Sequence, residues 1–161
     1  MNKQQAIDMA VVAAKAAQIR DDVCSRSVLI GLSTICEIPE EMIMASTNLL
    51  GGTGAASGSC GAYCAGLLGV GMKFNYSLDD ELSNPARKRE DIRKAAEYRD
   101  RFIKSQGTVL CPIIHEKLFG RSYIFSDPIQ ENEFLALEGH EMKCALVVGE
   151  ATRIAAEMML E

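Results

Sequence analysis

The sequence predicts an all-α protein: a single-domain helical bundle of about six to seven helices, with a Gly-rich loop before the central helix. Three observations carry that expectation. Apolar residues make up 48% of the 161 positions, yet aromatic residues are only 6% and Trp is absent, so Ala, Met, Leu and Ile must build the core. Such residues favour helices over strands. Apolar positions recur every three or four residues, and proline and glycine stand where helices would start and stop. One domain over residues 1–161 suits this length, which is enough to bury a core without disulfides.

Residues 4–20 set Ile7, Val11, Ala14 and Gln18 at helical spacing, in an Ala-rich first helix. Asp21 and Asp22 precede a second helix, from Cys24 to about Cys36, with Val28, Leu29, Leu32 and Ile35 on its apolar side. Pro39, Glu40 and Glu41 suit the first turn of a third, running to about Leu50. Then comes GGTGAASGSCGAYCAG, a glycine loop over 51–59 feeding a small-residue helix from about Cys60 to Met72. Small side chains there admit another helix, or a bound group, close to the backbone. A polar connection over 73–86 leads to a charged helix over 86–105, with Ile92, Ala95, Ala96, Tyr98 and Phe102 as its apolar stripe and Gly107 as its stop. A short helix follows Cys111 and Pro112 and ends at Gly120; residues 121–131 read as loop. The last helix starts near Phe134 or Gly139 and sets Leu146, Val147, Ala151, Ile154 and Met158 at core spacing.

Composition also removes functions. The formal net charge is −5, whereas phosphate backbones need a basic face, so nucleic acid is not an expected partner. The charge run over 88–104 is a solvated helix face. Asp8 and Lys15 interrupt the N-terminal apolar run and no cleavage site follows, unlike a signal peptide. Nothing reaches the ~18 uncharged apolar residues of a spanning helix, so membrane insertion is not expected. The expected location is cytoplasmic, where six cysteines point to metal binding or redox exchange rather than to static disulfides. The glycine loop matches neither the phosphate-binding nor the dinucleotide pattern, and no strand precedes it.

Cysteine placement is the sharpest signal. Cys24, Cys60 and Cys111 each fall at a predicted helix start, where unpaired N–H groups and the helix dipole favour thiolate. Cys144 lies inside the last helix. Cys60 and Cys64, Cys111 and His115, and His140 and Cys144 are each four residues apart, which places each pair on one helix face and suits a shared ion. Thiolate softness favours zinc, iron or an iron–sulfur cluster over magnesium or calcium. Against this, Cys36 reads as core filler and Cys64 is evenly balanced between packing and chemistry. His115 and His140 read as surface or hydrogen-bonded polar residues rather than ligands.

The order of these features resembles the C_GCAxxG_C_C family of redox-active proteins. Cys24 in CSRSVLIGL is similar to that family's first cysteine, and Cys60-Gly61-Ala62 after the glycine loop to its CGAxxG segment. Cys111 in CPIIHEKLFG and Cys144 in CALVVGEATRIAAEMML are similar to its third and fourth, so the resemblance spans roughly residues 20–160. The pattern places glycine at position 65, where this chain has Ala65 and then Gly66, and Cys64 is an addition inside the motif. The resemblance implies a redox role with cysteines as the working groups.

Three readings follow. In the first, Cys24, Cys60, Cys111 and Cys144 ligate a transition metal or iron–sulfur cluster for electron transfer to a redox partner protein, with Cys64 as a further candidate. Gly54, Gly58 and Gly61 would then bring backbone N–H groups to the centre. The second is a metal-free thiol–disulfide oxidoreductase or redox sensor, with Cys60 as attacking thiolate and Cys24, Cys64 or Cys111 resolving. The third is a non-catalytic helical interaction module using Met-rich residues 42–44 and 158–159. Small and apolar helix faces also suggest a homodimer. The first two readings expect Cys24, Cys60 and Cys111 in one pocket, with Cys144 reaching it from the last helix.

Overall fold

The structure, a computed structural model, describes residues 1–161 and is all-helical, with nine α-helices and no strand. They are α1 (Lys3–Asp21), α2 (Cys24–Leu32), α3 (Glu40–Ala45), α4 (Gly61–Phe74), α5 (Leu78–Ser83), α6 (Pro85–Gln106), α7 (Cys111–Phe119), α8 (Pro128–Leu135) and α9 (His140–Met159). A short 3₁₀ turn over Ser46–Leu49 continues α3. No helix is long and apolar enough to cross a membrane.

α9 is the axis of the bundle. It carries Val147, Val148, Ala151, Ile154, Ala155 and Met158 into the core, and α1, α2, α4 and α6 pack around it. α1 can lie close because its inward stripe is Ala6, Ala10, Ala14 and Ala17, side chains that keep the helix axes near each other. On the opposite flank Tyr63, Tyr98 and Phe102 form an aromatic cluster with centroids 5.2–6.3 Å apart, joining α4 to α6. Gly66 is where that cluster meets α4: a Cβ there would stand 1.9 Å from the Tyr98 hydroxyl. The glycine following Ala65 therefore supplies the close approach.

Outer helices begin on conventional caps. Asn2 and Gln5 form a capping box on α1, Ser77 caps α5, and Asn84 and Asp127 cap α6 and α8 ahead of Pro85 and Pro128. Gly107 and Gly120 close α6 and α7 in the left-handed conformation.

The structure changes several expectations. There are more helices than six to seven, because the connection over 73–86 holds α5 and the loop over 121–131 gives way to α8 at Pro128. Both are short helices set by a local cap that a weak apolar pattern conceals. α2 stops at Leu32, four residues before Cys36, and the third helix breaks into its 3₁₀ turn after Ala45. Ile92 is 57% and Leu146 59% exposed, so the buried stripes of α6 and α9 run one face over from those two residues. Met158 and Met159 are buried rather than presented to a partner.

Candidate functional site

Three helix starts and the second turn of a fourth helix surround one cavity of about 100 Å³, lined by Cys24, Cys60, Cys111 and Cys144. Cys24 opens α2 after a two-residue connection in which Asp22 is left-handed (φ 51°) and Val23 extended. Cys60 is the residue before α4, and Cys111 opens α7. These last two are tied by backbone: the Cys60 N–H donates to Val109 O at 2.7 Å, and the Cys111 N–H to Gly58 O at 2.9 Å, around an isolated bridge between Ser59 and Leu110. Cys144 enters from the axial helix α9.

The segment before α4 is a left-handed turn. Gly51, Gly52, Thr53, Gly54 and Ala55 all have positive φ, between 57° and 84°, and Ser57 joins them at 56°. For the non-glycine members this costs about 1–2 kcal/mol each, so surrounding bonds must hold them. Gly58 N–H donates to Gly52 O at 2.8 Å and the Thr53 hydroxyl to Ser59 O at 3.0 Å, folding the turn back on itself. Gly61 meets a different demand: a Cβ there would lie 2.6 Å from Leu49 O and 2.8 Å from the Cys24 sulfur. Glycine at this position lets the Cys24 sulfur sit against the first turn of α4, beside Cys60.

That juxtaposition sets the electrostatics. The Cys24 thiol stabilises a thiolate on Cys60 and, although burial opposes it, the Tyr63 and Ala62 amides at the start of α4 add to the effect, bringing Cys60 down to about 7. The same interaction, followed by burial and the neighbouring cysteines, holds Cys24 well above the ordinary thiol range. Burial, with the Cys60 charge second, pushes Cys111 up to about 12 and raises Cys144 as well. Of the four cavity cysteines, Cys60 is therefore the one whose thiolate is favoured, while the other three are held above the ordinary thiol range.

Two histidines have opposite fates. His140 is fully engaged: Nε2 lies 2.8 Å from Asp22 Oδ2 and Nδ1 2.8 Å from Leu137 O. Burial disfavours its charge, but the Leu137 carbonyl and Asp22 carboxylate outweigh that and raise its pKa. His115 is not the surface or hydrogen-bonded residue that the sequence suggests. It is 5% exposed, stacked 5.0 Å from Phe134 and edge-on to Phe119, Tyr123 and Phe125, and burial pushes its pKa down to about 4. Its Nε2 is 3.7 Å from the Cys111 sulfur, while the buried Nδ1 has no partner.

The other sequence candidates lie apart. Cys64 faces the Thr53 hydroxyl at 3.6 Å, and Cys36 donates to Leu32 O at 3.4 Å; neither lines the cavity. Gly54 belongs to the left-handed turn and Gly58 follows it, and neither they nor Gly61 line the cavity, whereas Gly51 does. No three His, Cys, Asp or Glu side chains are grouped to hold a metal ion, so the four thiols surround a space rather than forming a ready ligand set. Gln18 and Asp22, which belong to no cysteine spacing, also line the cavity. A polar Gln18 within the apolar stripe of α1 was the available signal. No curated protein and no solved structure matches the chain. The model of the family described as "Putative redox-active protein (C_GCAxxG_C_C)" matches residues 23–158, and the chain belongs to that family.

Proposed function

We propose that the chain is a dithiol–disulfide redox protein in which Cys60 is the attacking thiolate and Cys24 the resolving thiol. The observation that carries this reading is the place of the Cys24 sulfur against Gly61, the residue that follows Cys60, where a Cβ would lie 2.8 Å from that sulfur. In the oxidative half-reaction the Cys60 thiolate attacks an electrophilic sulfur or oxygen, displacing a leaving group. Cys24 then gives up its proton, attacks the Cys60 sulfur and displaces what Cys60 had gained. Two thiols lose two protons and two electrons, and a Cys24–Cys60 disulfide remains. Cys111 and Cys144, held protonated, are further thiols within the cavity. Peptide mapping by mass spectrometry after stoichiometric diamide tests this: the expected product is a Cys24–Cys60 disulfide, and a different dominant pairing would overturn the assignment.

A second reading is favoured by one observation, that all four family cysteines line the same cavity. In it Cys24, Cys60, Cys111 and Cys144 hold an iron–sulfur or other thiolate-bound centre, which would supply one-electron chemistry. The all-sulfur donor set suits such a centre, although the side chains would have to close around it. Metal and sulfide analysis with a visible spectrum on anaerobically purified protein separates the readings: stoichiometric iron and sulfide support the cluster, and metal-free protein with a fast-reacting Cys60 supports the dithiol.

A further inference from the structure

We propose that the cavity beside Cys60 binds a small neutral hydroperoxide, held by Gln18 and His115. This rests on the dithiol reading and supplies its oxidant. Size is the first argument. Cys60 and Cys111 are only 7% and 8% exposed, at a cavity of about 100 Å³, which has room for more than one water-sized molecule. Hydrogen peroxide or a short alkyl hydroperoxide fits that space. Charge is the second argument. Ile114, Leu118, Phe125 and Val147 make much of the wall apolar, and the carboxylates on it are Asp22 and Glu131, so anions are repelled.

Two unpartnered polar atoms supply the third. Gln18 is 1% exposed and lines the cavity, and its Nε2 donates to Asp22 Oδ1 at 2.8 Å, which fixes Oε1 as an acceptor without a donor. His115 also lines the cavity, and its Nδ1 is the second unpartnered atom. His115 Nε2 faces the Cys111 sulfur at 3.7 Å, and when that thiol donates to it the ring proton sits on Nδ1, which becomes a donor. A buried acceptor and a buried donor each cost free energy when unmet. A hydroperoxide meets both, donating its O–H to Gln18 and accepting from His115.

The Cys60 sulfur attacks one peroxide oxygen; the S–O bond forms as O–O breaks, and the distal oxygen leaves as hydroxide or alkoxide and takes a proton from solvent. Cys60 is now a sulfenic acid. Cys24 attacks that sulfur, the S–S bond forms, and the hydroxyl leaves as water with the Cys24 proton. One turnover converts two thiols and ROOH into a disulfide, ROH and water.

The test is rapid mixing of reduced protein with hydrogen peroxide at pH 7, following Cys60 sulfenic acid by dimedone trapping and the disulfide by mass spectrometry. Diamide oxidation is run in parallel. Thiolate fraction alone explains about a fifteenfold advantage of a thiol with pKa near 7 over free cysteine. The expected peroxide advantage is about a hundredfold, with Gln18→Met and His115→Phe each lowering it about tenfold, a loss larger than any change in diamide oxidation of the same variant. Thermal denaturation checks that each variant is folded, and if one is not, the other carries the comparison. Should diamide fail to produce the Cys24–Cys60 disulfide, the dithiol reading falls and the proposal with it. Should diamide produce it while peroxide shows no more than the fifteenfold advantage, or ignores both substitutions, the cavity holds only water and the hydroperoxide site alone is overturned.

Discussion

Two groups of helix starts in this protein contrast, apart from those of α3 and α9, which follow Pro39 and Gly139 without a side-chain cap. Those of α1, α5, α6 and α8 carry Asn2, Ser77, Asn84 and Asp127, whose side-chain oxygens accept from the first-turn amides. Those of α2, α4 and α7 follow Val23, Cys60 and Leu110 and have no such cap, and all three lie at the cavity. At the outer ends the backbone is satisfied locally and the helix gains stability. At the cavity the positive ends of the helices are left for sulfur: Cys60 stands where a cap oxygen would, and the Ala62 and Tyr63 amides stabilise its thiolate. One set of N–H groups holds the fold, and the other tunes a reactive atom.

This contrast makes specific predictions. The largest effect is expected from Cys60→Ser. Iodoacetamide labelling of the reduced protein near pH 7 should slow by about fiftyfold, the ratio of thiolate fractions between pKa values near 7 and 9, whereas Cys111→Ser should leave the fast phase intact. Labelling across pH should show the Cys60 midpoint moving upward in Cys24→Ala and returning toward the original in Cys24→Ser, whose hydroxyl still donates. A midpoint unchanged by either would break the link between the two thiols.

Stability separates the two kinds of helix start more gently. Gly61→Ala forces a Cβ against Leu49 O and the Cys24 sulfur, and should destabilise by about 1–3 kcal/mol in urea unfolding while also altering Cys60 labelling. Asn84→Ala removes an outer cap and should cost about 1 kcal/mol with no change in thiol labelling. If Asn84→Ala shifted the labelling rate, the division between structural and reactive starts would fail. The smallest effect concerns His140, whose pKa is raised in the folded state. Its stabilising contribution is therefore present below the unfolded-state value near 6.5 and is lost as pH rises through the folded-state value. Thermal scans across that range should show this loss in the wild type and not in His140→Asn.

Much of this was readable along the chain because the forces responsible are local. Helical periodicity marks α1, α6 and α9, Pro112 and Gly120 bracket α7, and the cysteines at 24, 60 and 111 stand at helix starts because each borders a turn signal. The extra short helices were hidden because caps at Ser77 and Asp127 outweigh weak apolar patterns there. What only the tertiary structure decided is which of these local pieces meet. The bonds from Cys60 to Val109 and from Cys111 to Gly58 join segments about fifty residues apart, and no spacing rule announces them. Likewise Cys64 and Cys36 look much like the other cysteines in sequence, yet they face Thr53 and Leu32 outside the cavity. His115 is a polar residue by type and an orphan by burial, because four aromatic rings from α7, α8 and the segment between them enclose it. Periodicity and capping act over a few residues and are written in the chain; burial and thiol pairing depend on which surfaces the packed helices bring together.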